Sequence, residues 1–216
     1  MDNFNTIREW AETEFVTIQP KILYFGTPVA LISSMNRDGS PNLAPISSFW
    51  ALGWTITLGL LAETQTLKNL RICPDCVINL PSPDMWEQVE RIATLTGQNP
   101  VPEKKTPQFR FEPDKFRVAG FSTIPSETVA APRVLECPVQ LEACVRKIHE
   151  LRGEARLQEL GGGAAVEVEV KRVHARKDFV TRGHYIAPDR WQPLIYNFRH
   201  YFGLGQELGK TLRAEI

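Results

Sequence analysis

The sequence predicts a mainly β fold, an antiparallel barrel with helices at its periphery, and three observations lead there. Several strand-like runs arrive before any regular strand–helix alternation begins. The run "VEVEV" alternates strictly, turning Val166, Val168 and Val170 to one face and Glu167 and Glu169 to the other, which is the period of a half-buried strand. The marks of a doubly wound nucleotide fold are missing. "GLGQELG" has only part of a G-x-G-x-x-G pattern and no strand after it, and Gly161–Gly163 lead into a strand rather than a helix.

Taken in order, "NTIREWAETEF" reads as a short helix, "PVALISSM" as a strand, "NRDGSPN" as a turn and "LAPISSFW" as a second strand. "WTITLGLLA" is a third strand, with Trp54, Ile56 and Leu58 on one face and Thr55 and Thr57 on the other. "ETQTLKNLRIC" reads as a helix capped by Thr64, with Leu67, Leu70 and Ile72 as its apolar positions. "CVINLP" is a fourth strand. "PDMWEQVERIATL" has Met85, Val89, Ile92 and Ala93 at helical spacing, with Asp84 as its candidate cap. "PVQLEACVRKIHEL" and "AAVEVEVKRVHA" are long alternating strands divided by "RGEARLQELGGG". Between them and the preceding helix lies a proline-rich excursion at 94–116, too long for an ordinary connection and of the kind that covers a site. The aromatic tail at 189–216 is irregular.

Composition excludes several classes. Lys plus Arg balances Asp plus Glu at 25 each, which argues against nucleic acid as the main partner and favours self-association. No run is long enough to span a membrane, and the acidic start lacks the apolar stretch of a secretory leader, so a cytoplasmic protein is expected. Cys73 and Cys76 in "CPDC", with Cys137 and Cys144, lack the second ligand pair of a zinc site and the strand-then-helix setting of a redox pair. They read as structural thiols, and no metal is expected. His149 and His174 fall in or beside strands and read as surface or packed residues, while His184 and His200 lie in the tail beside tyrosines.

No nucleophile–base pair stands out. The stretch "GSPNLAPISSFWAL" does, because Pro41 and Pro45 remove ladder donors and Asn42, Ser47 and Ser48 break the alternation. If adjacent strands bring their ends together, Ser47 and Ser48 meet Thr66, Lys68 and Asn69 at the start of a helix. Hydroxyls, an amide, an ammonium and a helix N-terminus suit a phosphate monoester. Pro45, Ile46, Leu61 and Ala62 beside them could flank a flat heterocycle.

At this point "PVALISSMNRDGSPNLAPISSFWAL", "ETQTLKNLRICPDCVINLPSPD" and "SETVAAPRVLECPVQLEACV" resemble, in order, the motifs of the flavin reductase-like group of FMN-binding split-barrel proteins, which includes flavoredoxins. The resemblance implies one split β-barrel domain over 1–216, FMN as cofactor, and a homodimer with the flavin at the subunit interface. It implies that Pro45, Ile46, Ser47, Ser48, Leu61 and Ala62 meet the flavin and that Thr66, Lys68 and Asn69 serve its phosphate. It implies NAD(P)H as co-substrate in flavin reduction, with an oxygenase or another electron acceptor downstream. A flavoredoxin-like electron carrier that binds FMN without NAD(P)H turnover is the alternative, and the "APISSF" strand favours both over a pyridoxamine-phosphate-oxidase-like or haem-related barrel. Arg199, His200 and Tyr201, in a tail similar to the family's, are candidates for the cleft where the substrate enters. The chain departs from the family pattern at Gln65, where an aspartate is usual, at the "CPDC" turn, and in the length of the 94–116 excursion.

Overall fold

A computed structural model describes residues 14–106, 108–153 and 155–211 of the chain. The expected helix at the start falls almost wholly outside the described residues. The elements begin with β1 (Phe25–Pro28), β2 (Ala30–Met35), β3 (Pro41–Ile46), β4 (Phe49–Leu52) and β5 (Thr55–Leu61). Next come α1 (Gln65–Ile72), β6 (Asp75–Leu80), α2 (Trp86–Ala93), β7 (Leu95–Thr96), β8 (Arg110–Phe111), α3 (Lys115–Ala119), β9 (Thr123–Ile124) and β10 (Arg133–Val134). The chain then forms β11 (Val139–Leu151), α4 (Ala155–Glu159), β12 (Gly163–Ala175), β13 (Val180–Thr181), β14 (Tyr185–Ile186), β15 (Ile195–Asn197) and β16 (His200–Phe202).

The fold is mainly β, an antiparallel split barrel. Seven strands pair in the order β3-β2-β6-β11-β12-β5-β4. The edge strands β3 and β4 follow one another in the chain and are separated only by Ser47 and Ser48, so the sheet curls back on itself without a ladder closing the seam. This corrects one expectation. "LAPISSFW" is not a single strand but two, at opposite edges of the sheet. Trp54 is also misplaced by alternation: it sits in the turn before β5 and is 61% exposed, while Ile56, Leu58 and Leu60 face inward.

Apolar residues bury on both sides of the sheet. Ile32, Ile56, Leu58, Ile78, Val166 and Val168 fill the interior, where Leu67 and Leu70 of α1 join them. Leu31, Leu43, Val89, Ile92, Phe116, Val134 and Leu194 form a second cluster on the outside under α2, α3 and the tail. Successive residues of β2 therefore serve different clusters, which is why "VALI" shows no alternation. Asp84 does not cap α2; it lies in a 3-10 turn, Pro83–Met85, that leads into the helix. Cys76 is buried in the interior cluster, where burial first, then the charges near it, pushes its thiol up to about 12. It is therefore a neutral packing residue at physiological pH.

The hairpin of β11 and β12 runs for 13 residues on each strand and is shared diagonally. β6 pairs with Val139–Cys144 near its base, and β5 pairs with Gly163–Glu169 toward its tip. Two register shifts interrupt β11, between Glu142 and Ala143 and between Val145 and Lys147.

One ionic group fixes the loop that covers the base of this hairpin. Glu142 is fully buried on β11 and accepts from the N–H of Glu127 (2.9 Å), the N–H of Thr128 (2.6 Å) and the Thr128 hydroxyl (2.5 Å). His174 Nε2 stands 2.7 Å away and Arg133 Nε 3.7 Å. Burial works against the ionised carboxylate, but the hydrogen bonds from Thr128, Glu127 and His174 outweigh it and bring the carboxyl down to about 2. Stability from Glu142 is thus fully present above its ordinary value of 4.5 and is lost as pH falls through about 2. We expect Glu142→Gln to cost about 2–4 kcal/mol at pH 7, because an amide N–H₂ would face donors in a buried site. Its acid-unfolding limb below pH 4.5 should be shallower than that of the parent. Chemical denaturation as a function of pH measures both, and equal stability of the two proteins at pH 7 would refute the clamp.

Candidate functional site

The site is built at the seam between β3 and β4. Pro41 and Pro45 are tolerated because β3 is an edge strand, paired only with β2. At the break, Ser48 turns inward to β5. The Gly59 N–H donates to Ser48 O (2.6 Å), and the Ser48 hydroxyl donates to Gly59 O (2.7 Å). Gly59 suits this approach: a Cβ there would lie 3.0 Å from Ser48 Cβ and 3.2 Å from its carbonyl oxygen, so that Ser48 would have to give by a few tenths of an ångström.

The helix after β5 is fixed at its start. Thr64 is the N-cap of α1: its hydroxyl accepts from the Leu67 N–H (3.3 Å) and donates to Leu61 O (2.8 Å). Beneath the helix lies a buried network of amides and hydroxyls. Asn69 Nδ2 donates to Ser34 Oγ (3.1 Å) and Asn36 Oδ1 (2.9 Å), while Asn69 Oδ1 accepts from Gln65 Nε2 (2.7 Å). Asn42 Nδ2 reaches Ser34 Oγ and Thr66 Oγ1, each at 3.4 Å. Asn42 Oδ1 is buried without a partner among the described residues, and Gly97 lies so close that a Cβ would come within 2.7 Å of it.

Between these parts opens a cleft of about 300 Å³. It is lined by Pro45 and Leu61, by Thr64, Gln65 and Thr66 at the start of α1, and by Lys105, Phe109 and Lys115. The 94–116 excursion thus walls the cleft from within the same chain. It is tied across α1 by Lys68 Nζ donating to Gln98 Oε1 (2.6 Å) and Gln98 Nε2 donating to Glu63 O (2.6 Å). Lys105 Nζ lies over the Phe109 ring at 5.5 Å from its centroid. Lys115, only 3% exposed, pairs with no carboxylate among the described residues. Burial, then the neighbouring Lys105 charge, brings its ammonium down to about 8 against the opposing pull of Glu112. Burial lowers Lys105 as well.

The residues singled out from sequence are thus distributed over several surroundings. Pro45, Leu61 and Thr66 line the cleft, and Lys68 lines an adjoining hollow that shares Glu63 and Gln65 with it. Ile46 packs on the interior cluster and Ser47 is half-buried in the strand break. The Ser48 hydroxyl and the whole Asn69 amide are engaged within the fold. Ala62 lies by the turn before β12, with its N–H donating to Gly162 O (3.0 Å). Arg199, His200 and Tyr201 line a separate hollow of about 580 Å³ beside Trp86 and Glu90, which shares no lining residue with the first cleft. There the Tyr201 hydroxyl donates to Glu90 (2.9 Å), and burial together with that carboxylate raises it well above the ordinary phenol range. Sequence reasoning did not single out Lys105 and Lys115. The signal was present in "EKKTPQFRFEPDKF", where lysines alternate with aromatics in a loop suited to covering a site.

Comparison with known proteins agrees with this fold. The model of the flavin reductase like domain matches residues 22–205. YdfE of Bacillus subtilis (strain 168) is 43% identical over 210 residues, covering 97% of this chain and 99% of that protein. Among solved structures, flavoredoxin of Desulfovibrio vulgaris (Miyazaki F) superposes with a TM-score of 0.74 at 20% identity, over 93% of this chain and 98% of that one. Nitrilotriacetate monooxygenase component B from Bacillus cereus superposes with a TM-score of 0.70 at 18% identity, over 91% and 98%. With its seam, its capped helix and a family match over most of its length, the chain belongs to the flavin reductase-like family.

Proposed function

We propose that this chain is a flavoprotein that holds FMN in the seam cleft and reduces it with NAD(P)H. The observation that carries the reading is the composition of the cleft: apolar Pro45, Leu61 and Phe109 together with the Thr66 hydroxyl, the first turn of α1 and the ammonium groups of Lys104, Lys105 and Lys115. That sequence of surfaces fits a flat ring joined to a phosphate. Bound there, the isoalloxazine supplies the hydride chemistry, so no acid–base pair is required of the protein. Pro45, Ile46 and Ser47 would hold the ring, together with Leu61 and Ala62. Thr66 and Lys68 serve the phosphate. Ser48 and Asn69 act by holding the strand break and α1 in place.

The same reading takes the whole chain as one domain that works as a homodimer in the cytoplasm. Support for the dimer comes from β4, an unpaired sheet edge whose neighbourhood exposes Trp50 (59%), Leu52 (74%) and Trp54 (61%). No described helix is long and apolar enough to cross a membrane. Arg199, His200 and Tyr201, whose hollow shares no lining residue with the cleft of the same chain, would meet the nicotinamide across the subunit interface, and an oxygenase or another electron acceptor would take the electrons. The likeness to a flavoredoxin favours a second reading, an electron carrier that holds FMN without turning over NAD(P)H.

The absorption spectrum of the purified protein with added FMN tests the cofactor, and anaerobic NADH or NADPH then separates the readings. Bleaching of the flavin band with turnover is expected; a flavin that stays oxidised identifies the carrier. Lys68→Ala should weaken FMN about tenfold while leaving riboflavin unchanged, the loss of one charge-assisted contact. Arg199 is exposed and can be removed without unfolding the tail. Arg199→Ala should raise the KM for NAD(P)H several-fold at constant FMN affinity, and an unaltered KM would take the tail out of the site.

A further inference from the structure

The turn that joins β15 and β16 is built from unexpected residues. The register pairs Asn197 with His200, which leaves a two-residue turn of Phe198 and Arg199 with φ of 42° and 69°. A hairpin turn with positive φ at both positions is normally made by Asn-Gly or another glycine-containing pair. A phenylalanine and an arginine there strain the backbone, and such strain persists where a particular side chain is needed at that place. Neither residue offsets it by packing in the core: Phe198 is 47% exposed and Arg199 is exposed as well. Arg199 lines the hollow of about 580 Å³ that lies apart from the seam cleft. Trp86 and Tyr201, with ring centroids 6.2 Å apart, line it too, as do Phe202 and the buried Leu194. Trp86 and Phe202 are 45% and 50% exposed, a large aromatic area to leave in water. His200 also lines the hollow, and neither it nor Arg199 makes a side-chain hydrogen bond or an ion pair among the described residues.

We propose that this hollow is a binding site for an aromatic carboxylate, whose ring meets Trp86 and Phe202 and whose carboxylate pairs with Arg199. A guanidinium is planar, always charged and matched to the two oxygens of a carboxylate, while the exposed rings offer faces to a flat apolar body. A bare inorganic anion would gain nothing from the rings, and a neutral ring would leave the guanidinium without a counter-charge. The acid among the lining residues, Glu90, accepts from the Tyr201 hydroxyl (2.9 Å) and is not ion-paired with Arg199, so the guanidinium is free for a ligand. The inference goes beyond flavin reduction and does not rest on it, because the site lies apart from the seam cleft. The nicotinamide ring, a neutral aromatic amide, is the competing occupant.

The experiment titrates the full, flavin-free chain with naphthoate, naphthamide and cyclohexanecarboxylate by calorimetry, then repeats the naphthoate titration with FMN present. Naphthoate is expected to bind about tenfold more tightly than either the neutral amide or the non-aromatic acid, with or without FMN. Arg199→Gln and Trp86→Leu should each weaken naphthoate about tenfold, and both positions are exposed, so the core is left intact. Phe198→Asn combined with Arg199→Gly restores ordinary turn chemistry. That double variant should melt a few degrees higher than the parent and lose the preference for naphthoate over naphthamide. A lower melting temperature would show that Phe198 and Arg199 serve the fold, and would overturn the proposal. Naphthamide binding as tightly as naphthoate would give the hollow to the nicotinamide and overturn it too. So would displacement of naphthoate by FMN, which places it in the seam cleft, or naphthoate affinities within about twofold of the parent in both single variants. Naphthoate binding of the expected pattern in a protein that takes up no FMN would keep the site and overturn the flavin reading instead.

Discussion

The cleft rests on the buried network under α1. A carboxamide taken out of water must satisfy two donors and an acceptor or lose much of the stability its burial brings. Asn69 meets that demand only if Ser34 near the end of β2, Asn36 just beyond it and Gln65 one turn earlier on the helix are all in place. Those requirements fix the rotation and height of α1 against β2. They therefore also fix where Thr64, Thr66 and Lys68 point. The polar residues whose chemistry suits a ligand are in part the scaffold that aims the others. Thr66 takes part in both, bonded below to Asn42 and exposed above to the cleft.

A second constraint is that the sheet is buried on both faces. The interior needs α1 as a plug at one end, through Leu67 and Leu70, and the outside needs α2, α3 and Leu194 of the tail. The tail is tied down by main-chain bonds, Val29 N–H to Leu194 O (2.8 Å) and Leu194 N–H to Pro81 O (3.0 Å). Its aromatics thus divide: Tyr196 and Tyr201 pack on the barrel, while Phe198 and Phe202 remain about half exposed. Such division is what a segment with both a packing role and a surface role would show.

The regular part of this architecture was legible in the residues. "VEVEV", "TITLGLL" and the Thr64-capped helix declare themselves through period and capping chemistry, and both long strands fall within a residue or two of their expected limits. What was not legible depended on partners distant in the chain. Nothing local in "LAPISSFW" says that its halves join opposite edges of a sheet; that follows from the bonds of Ser48 to Gly59. Asn69 carries the right chemistry for a phosphate, but its amide is used up by residues more than thirty positions away, such as Asn36 and Ser34. Lys115 looks like a solvated charge at a helix start until packing with the excursion and the outer cluster turns it inward.

The diagonal sharing of the β11–β12 hairpin leaves two open half-edges. Beyond Val145 on β11 and beyond Val170 on β12, the outward N–H and C=O groups have no neighbouring strand among the described residues. Such free rows template aggregation unless they are made hostile to a passing strand. Here they carry Arg146, Lys147, His149 and Glu150 on one strand and Lys171 and Arg172 on the other. Charged side chains at this density hold each half-edge in water and make a second backbone unwelcome, so the long hairpin can project from the barrel without seeding cross-β stacking. Amide exchange should accordingly run fast along these half-edges and slow along Val139–Cys144 and Gly163–Glu169, which lie between strands on both sides.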